Sequence, residues 1–253
     1  MAGRIGTERR VPRRSGKDSA RMEFISLGDS ALVIRIKPEL QAGVAGILEL
    51  QRCLQSAAIP GVVECAPAYH SLGVFFDLVQ ATAAGAPEDD VSGWLKTQIA
   101  AIYDDASARV QKAVAYEFVE IPVCYEPAFA PDLGEIASRS GLSPDEVVRR
   151  HTSAEYLVHC IGFTPGFPYL GGLPTELATP RREAPRKEVA AGSVAIGGAQ
   201  SGIYPAASPG GWNIIGRTPL RLFDPEQEPP ALLRAGMAVR FRPVTRAEFD
   251  SSS

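Results

Sequence analysis

The chain has 253 residues, a formal net charge of −3 and a pI near 5.7, a balance that gives no basic surface of the kind that carries nucleic acid. Its 45% hydrophobic and 22% charged residues suit a globular protein with a sizeable core, in one large domain or two modest ones. No uncharged apolar run approaches the roughly 18 residues that span a bilayer.

Residues 1–21 stand apart. Arg4, Arg9, Arg10, Arg13, Arg14, Lys17 and Arg21 face only Glu8 and Asp18, and no apolar stretch follows them. A secretory signal is therefore not expected. The segment reads as a disordered basic tail before Met22, with an arm for an anionic partner as the alternative.

From Met22 the elements follow quickly. FISLGDSALVIRI reads as two short strands about a Gly28-Asp29 turn. PELQAGVAGILELQRCLQSA has apolar residues at helical spacing. GVVECAPAYHSLGVFFDL supplies two more strands, with Pro67 marking the break. EDDVSGWLKTQIAAIYDDA is an amphipathic helix with acids in its first turn, where the helix dipole favours them. The order β-β-α-β-β-α predicts a small α+β domain over 22–113, with helices on a mostly antiparallel sheet.

A strand in YEFVEIPVCY opens a second domain, 114–250. PDLGEIASRSGLSPDEVVRRH predicts two short helices. Ser143 is the N-cap of the second, Pro144 its first residue, and Glu146 closes a capping box. The pair has the rhythm of a helix-turn-helix, but Asp145 and Glu146 would meet phosphate repulsion where base contacts belong. Beyond His151, the β runs EYLVHCIGF, GSVAIGG, GWNIIG, PLRLF and MAVRFRPV alternate with Gly/Pro turns, the pattern of a β-barrel or sandwich.

Cys53, Cys65, Cys124 and Cys160 form no C-x-x-C pair and have no histidine at zinc spacing. They read as reduced, mostly buried thiols of a cytoplasmic protein, with no metal expected. His159 and Cys160 are adjacent, but neighbours in a strand point to opposite faces, which argues against a catalytic dyad.

Three Gly-rich loops and one charged run remain. IGFTPGFPYLGGLP, Ile161–Pro174, carries no charge and holds too much Gly and Pro for a helix or a central strand, so it reads as a rigid aromatic loop. GGAQSGIYP (Gly197–Pro205) and SPGGWNIIG (Ser208–Gly216) are two more Gly-rich loops. Between the first two lies PRREAPRKEV, with Arg181, Arg182, Arg186 and Lys187 partly balanced by Glu183 and Glu188. Each has a plainer reading: the Gly/Pro-aromatic loops as packing over a barrel end, the arginine run as a solvated hairpin, and Ser208–Trp212 as a β-turn anchored by a buried Trp. Carried on one β scaffold, they are expected to converge on a pocket. None is a Walker A loop, a dinucleotide fingerprint or a G-x-S-x-G elbow. His151, at a helix end, reads as a packing residue or an acid–base.

The run GFTPGFPYLGGLP…LATPRREAPRKEVAAGSVAIGGAQSGIYPAASPGGWNIIGRTPLRLFDP resembles the family called allophanate hydrolase subunit 1. That family includes the B subunit of ATP-dependent 5-oxoprolinase, Kip-type histidine-kinase inhibitors and the carboxyltransferase region of urea carboxylases. The resemblance extends from ISLGDSALVI through PGVVECAPAYHSLGV to GMAVRFRPV. It implies an α+β N-terminal domain followed by a mainly-β cyclophilin-like barrel domain. It also implies two partners, a homologous subunit 2 (the C subunit) and a third 5-oxoprolinase component (the A subunit). The implied assembly uses ATP on 5-oxoproline.

Such a site needs an apolar wall, amide donors for a developing oxyanion and cations for phosphoryl oxygens. Phe163, Pro165, Phe167 and Tyr169 are the expected wall. Gly166, Gly210 and Gly211 are the amide donors, and Arg186 and Lys187 the cations. Gln200, Ser201, Tyr204, Ser208 and Trp212 are further contacts. Arg186, Gln200 and His151 are the catalytic candidates. A Kip-type kinase-binding protein, or half of a biotin-dependent carboxyltransferase, is the alternative that the same resemblance implies.

Overall fold

The computed structural model of the protein describes residues 22–36, 43–107 and 118–252. The basic segment 1–21 and the beginning of the first predicted helix lie outside the described residues.

Strands β1 (Met22–Ser26) and β2 (Ala31–Ile36) pair antiparallel about a turn in which Gly28 has φ +67°. Helix α1 (Gly43–Ala57), β3 (Val62–Ala68) and β4 (Ser71–Phe76) follow, and the sheet has the order β1-β2-β4-β3. Pro67 does not mark the break. It lies inside β3 opposite Leu72, and the turn falls at Tyr69-His70. β3 is an edge strand, where a residue without an N–H is tolerated. A helix the sequence did not announce, α2 (Leu78–Ala83), is capped by Asp77, whose carboxylate accepts from Gln80 N at 2.9 Å.

Helix α3 (Val91–Ser107) begins after its acids rather than with them in its first turn. Asp90 precedes it and accepts from Gly93 N at 2.8 Å, so the carboxylate caps an otherwise orphan N–H directly. The inward faces of this sheet and of α1 and α3 enclose one core, with Leu32, Ile34, Ile47, Leu72, Val74 and Leu95 fully buried.

The second core belongs to a larger sheet. Its elements are β5 (Phe118–Val123), β6 (Tyr156–Ile161), β7 (Pro168–Gly171), β9 (Ser193–Gly197), β10 (Gln200–Ile203), β12 (Asn213–Arg217) and β13 (Ala238–Pro243). The order is β12-β9-β10-β7-β6-β13-β5, antiparallel except for the parallel β13–β5 pair. Its two edges meet. Cys124, just beyond β5, and Arg217, ending β12, exchange N–H···O bonds of 2.8 and 3.0 Å, so the sheet is nearly closed into a barrel. Helices α4 (Leu133–Ser140) and α5 (Pro144–Ser153) pack onto this core. A separate two-stranded ribbon pairs β8 (Arg186–Val189) with β11 (Ser208–Gly210), and α6 (Arg246–Ser251) closes the described chain. The small sheet meets the barrel at the β3–β4 turn, where Tyr69 lies edge-on to His159, centroids 4.7 Å apart.

Ser143 caps α5 as expected, accepting from Glu146 N at 3.2 Å, and Pro144 is the first helical residue. The Glu146 carboxylate is instead held by Arg149 and Arg150 at 2.6–2.7 Å. The larger departure concerns the Gly/Pro-rich stretches. They are not loops throughout, since β7 and β10 are interior strands of the barrel sheet. Pro168 is tolerated as the first residue of its strand. Gly202 serves packing: a Cβ there would lie 2.8 Å from Phe167 Cζ and 3.0 Å from the Trp212 ring. PLRLF forms no strand. Its Leu222 is buried in the barrel core, and only Phe223 makes an isolated bridge, to Ala231.

Candidate functional site

Successive residues of a strand point to opposite faces, and the barrel strands use both. Leu170, Ile196, Ile203 and Ile215 fill the interior. Phe167, Ala195, Tyr204, Trp212 and Ile214 form a second cluster on the outer face, with Tyr169 against it. Phe167 is the hub. Its ring meets Phe163, Tyr169, Tyr204 and Trp212 edge-to-face, with centroids 5.0–5.6 Å apart, the arrangement aromatic quadrupoles favour. The ribbon supplies the facing wall with Pro209, Gly210 and the adjoining Gly211. Between them lies a cavity of about 270 Å³. Burial pushes the Tyr169 and Tyr204 phenols up, so both are neutral donors at ordinary pH.

Phe163 stands at the mouth, 62% exposed. Its φ is +69°, and Thr164 N donates across it to Gly162 O at 2.9 Å, closing a γ-turn. That conformation is strained for a bulky residue, and strain of this kind concentrates at ligand clamps.

The charged border is organised by a residue the sequence did not single out. Asp132, just before α4, is buried. Its Oδ1 accepts from Arg182 Nη1 at 2.9 Å and Arg186 Nη2 at 2.7 Å, and its Oδ2 from Ile214 N at 2.7 Å. The strap carrying the arginines is pinned on both sides of Arg181. Asn213 Nδ2 donates to Pro180 O at 2.8 Å, and Arg182 N donates to Gly211 O at 2.7 Å. Arg181 itself lines the cavity, with its guanidinium carbon 5.6 Å from the Trp212 ring centroid. Arg182 Nε and Arg186 Nη1 are buried without a hydrogen-bond partner.

Of the residues expected at the site, Phe163, Phe167, Tyr169, Tyr204, Gly210, Gly211 and Trp212 line this cavity together, joined by Arg181, Arg182, Pro185 and Pro209. The others lie elsewhere. Pro165 is exposed, and Lys187 is exposed on β8. Gly166 packs against Phe223, 2.7 Å from where a Cβ would stand, so a larger side chain there strikes Phe223 instead of closing the cavity. Arg186 is spent on Asp132. Gln200 and Ser208 are half-buried and do not line the cavity.

Ser201 and His151 belong to the barrel interior. Tyr125 Oη lies 2.9 Å from His151 Nδ1, His151 Nε2 lies 3.3 Å from Ser201 Oγ, and Ser201 Oγ donates to Ala195 O at 3.2 Å. With Tyr125 donating, the imidazole carries its proton on Nε2. Tyr156 Oη donates to His151 O at 3.1 Å, and Phe241 stacks on the ring. Burial pushes the His151 pKa down to about 3, so it is a neutral core residue and not an acid–base at the cavity. His159 and Cys160 are likewise unactivated, because burial lowers the imidazole and raises the thiol.

Comparisons with known proteins fit this architecture. The family model described as carboxyltransferase domain, subdomain C and D, matches residues 22–233. The B subunit of 5-oxoprolinase from Bacillus subtilis (strain 168) is 41% identical over 237 residues, covering 91% of this chain and 96% of that one. The crystal structure of TTHA0988 superposes with a TM-score of 0.66 at 34% identity over 89% of this chain, which spans only 40% of its length. Kluyveromyces lactis urea carboxylase shares the fold, with a TM-score of 0.68 at 20% identity over 95% of this chain and 23% of that one.

Proposed function

Since the chain belongs to the family of the carboxyltransferase domain, subdomains C and D, we propose that it works as the B subunit of an ATP-dependent 5-oxoprolinase. The observation that carries this reading is collinearity: the match to the Bacillus subtilis protein runs through 96% of its length. The outer-face cavity is the place for the lactam. Its volume of about 270 Å³ suits a small ring rather than a nucleoside triphosphate. The nucleotide is then held together with the two partners, the C and A subunits, in the cytoplasm. Among the described residues no helix is long and apolar enough to cross a membrane.

The chemistry proposed for the assembly begins with transfer of the ATP γ-phosphoryl group to the lactam oxygen, releasing ADP. Water then adds to the activated carbon, the ring C–N bond breaks with the nitrogen taking a proton, and loss of phosphate with a second water leaves glutamate. Within this scheme the chain's own residues bind and orient. The Phe167 hub packs the ring and excludes water, which strengthens every polar contact made there. The Gly210 and Gly211 backbone and the Tyr204 hydroxyl border the cavity where an oxygen would lie.

The test is reconstitution with the two partners, measuring phosphate release with and without 5-oxoproline. Lactam-dependent ATP hydrolysis that disappears when this chain is omitted supports the reading. A stable complex indifferent to 5-oxoproline rejects it in favour of another amide substrate.

A further inference from the structure

The border of the cavity holds three arginines, and they are not equivalent. Arg182 and Arg186 share the buried carboxylate of Asp132, so that one negative charge already holds both guanidiniums. Arg181 has no acid partner among the described residues. Its backbone is fixed from both sides, through Pro180 O on Asn213 and Arg182 N on Gly211 O. Its guanidinium is left over the Trp212 face at the cavity wall. A cation on an aromatic face keeps its in-plane N–H groups free for a planar oxyanion, which only arginine meets with two parallel bonds. The charge of Arg181 is felt inside the cavity, where it opposes the burial that raises the Tyr169 and Tyr204 phenols.

We propose that Arg181 is the specificity-determining residue of the site, reading the carboxylate of a small carboxylated ring whose apolar body packs on the Phe167 hub. The inference rests on the 5-oxoprolinase reading and deepens it. It replaces Arg186 as the anion-binding arginine and makes Asp132 a positioning residue that keeps Arg182 and Arg186 from competing for the ligand. The site therefore selects a carboxylate-bearing lactam over its neutral carboxamide, which has the same shape and no charge.

The experiment follows Trp212 fluorescence in a Trp94→Phe background, with the full chain alone and assembled with its two partners. 5-Oxoproline and its carboxamide are titrated separately. The expected preference for the acid is about 10- to 100-fold, the range of a charge-assisted hydrogen bond to a carboxylate. Arg181→Met should bring the two affinities together by weakening the acid alone, and Arg181→Lys should restore part of the gap. A preference that persists in Arg181→Met overturns the inference. So does a variant that weakens both ligands equally, since that marks a packing role. Phosphate release by the same complexes separates the two levels. Lactam-dependent turnover that is insensitive to Arg181 rejects this inference and leaves the function standing, whereas the absence of lactam-dependent turnover in the wild-type complex rejects the function.

Discussion

The two faces of the barrel sheet hold similar side chains and treat them differently. Inside, His151 is surrounded by Tyr125, Tyr156, Phe241 and Ser201, and both its ring nitrogens have partners. Outside, Phe167 is surrounded by Phe163, Tyr169, Tyr204 and Trp212. There the polar inventory does not close: two guanidinium nitrogens are buried without acceptors, and Phe163 holds a strained turn. A closed polar network rigidifies a core. The outer face lacks that closure, and Arg181, which lines its cavity without an acid partner among the described residues, is the group left for something else to complete. Counting aromatics and histidines would rank the two faces alike, and the hydrogen bonds separate them.

The sharpest way to break this contrast is at Asp132. Asp132→Ala leaves two guanidiniums and the Ile214 N–H without their acceptor, and chemical denaturation should show a loss of about 3–5 kcal/mol. Asp132→Asn, which keeps an acceptor, should lose clearly less. The interior network is tested by acid. The folded pKa of His151 is pushed down to about 3 from an ordinary 6.5. Its contribution is therefore complete above pH 6.5 and falls by about 1.4 kcal/mol per pH unit as the pH drops toward 3. Denaturation midpoints of His151→Gln should lack this component of the slope. An identical pH profile would mean that the imidazole is not held neutral by the fold.

Smaller effects probe the outer face. Gly202→Ala drives a methyl into the Phe167 and Trp212 rings and should cost about 1–3 kcal/mol by overpacking, with a changed tryptophan emission. Phe163→Gly relieves the positive φ and removes an exposed ring at the cavity mouth. Its stability should change by less than about 1 kcal/mol, while affinity for 5-oxoproline, the ligand proposed for this cavity, falls. Loss of stability with unchanged affinity would remove Phe163 from the site.

The legible parts of this protein are those where signal and cause are local. The β1–β2 hairpin follows from alternation around Gly28, and the start of α5 follows from Ser143-Pro144, whose cap involves residues three apart. β7 and β10 were not legible, because their glycines act across the sheet. Gly202 makes room for Phe167 and Trp212, a reason invisible within its own stretch. The aromatic members of the cavity could be read from their crowding in Gly/Pro-rich sequence. The charged members could not be ranked, because the arbiter is Asp132, which lies 50 and 54 residues from the arginines it holds. In the sequence it looks like one more acid near a helix start.

The parallel pairing of β13 with β5 means that the barrel is laced by its last strand. β13 lies between β6 and β5 in the sheet, and it begins at residue 238, beyond the 22–233 span of the family match. A version of the chain trimmed at residue 233 would lose the stave that joins β5 to its neighbours, leaving β5, among the described residues, joined to the sheet by the Cys124–Arg217 seam. The tube would open into a ribbon with two raw edges, each a template for another chain. Expression trials that shorten the protein to its recognisable core should therefore yield aggregates, and those that keep the stretch through Pro243 should not.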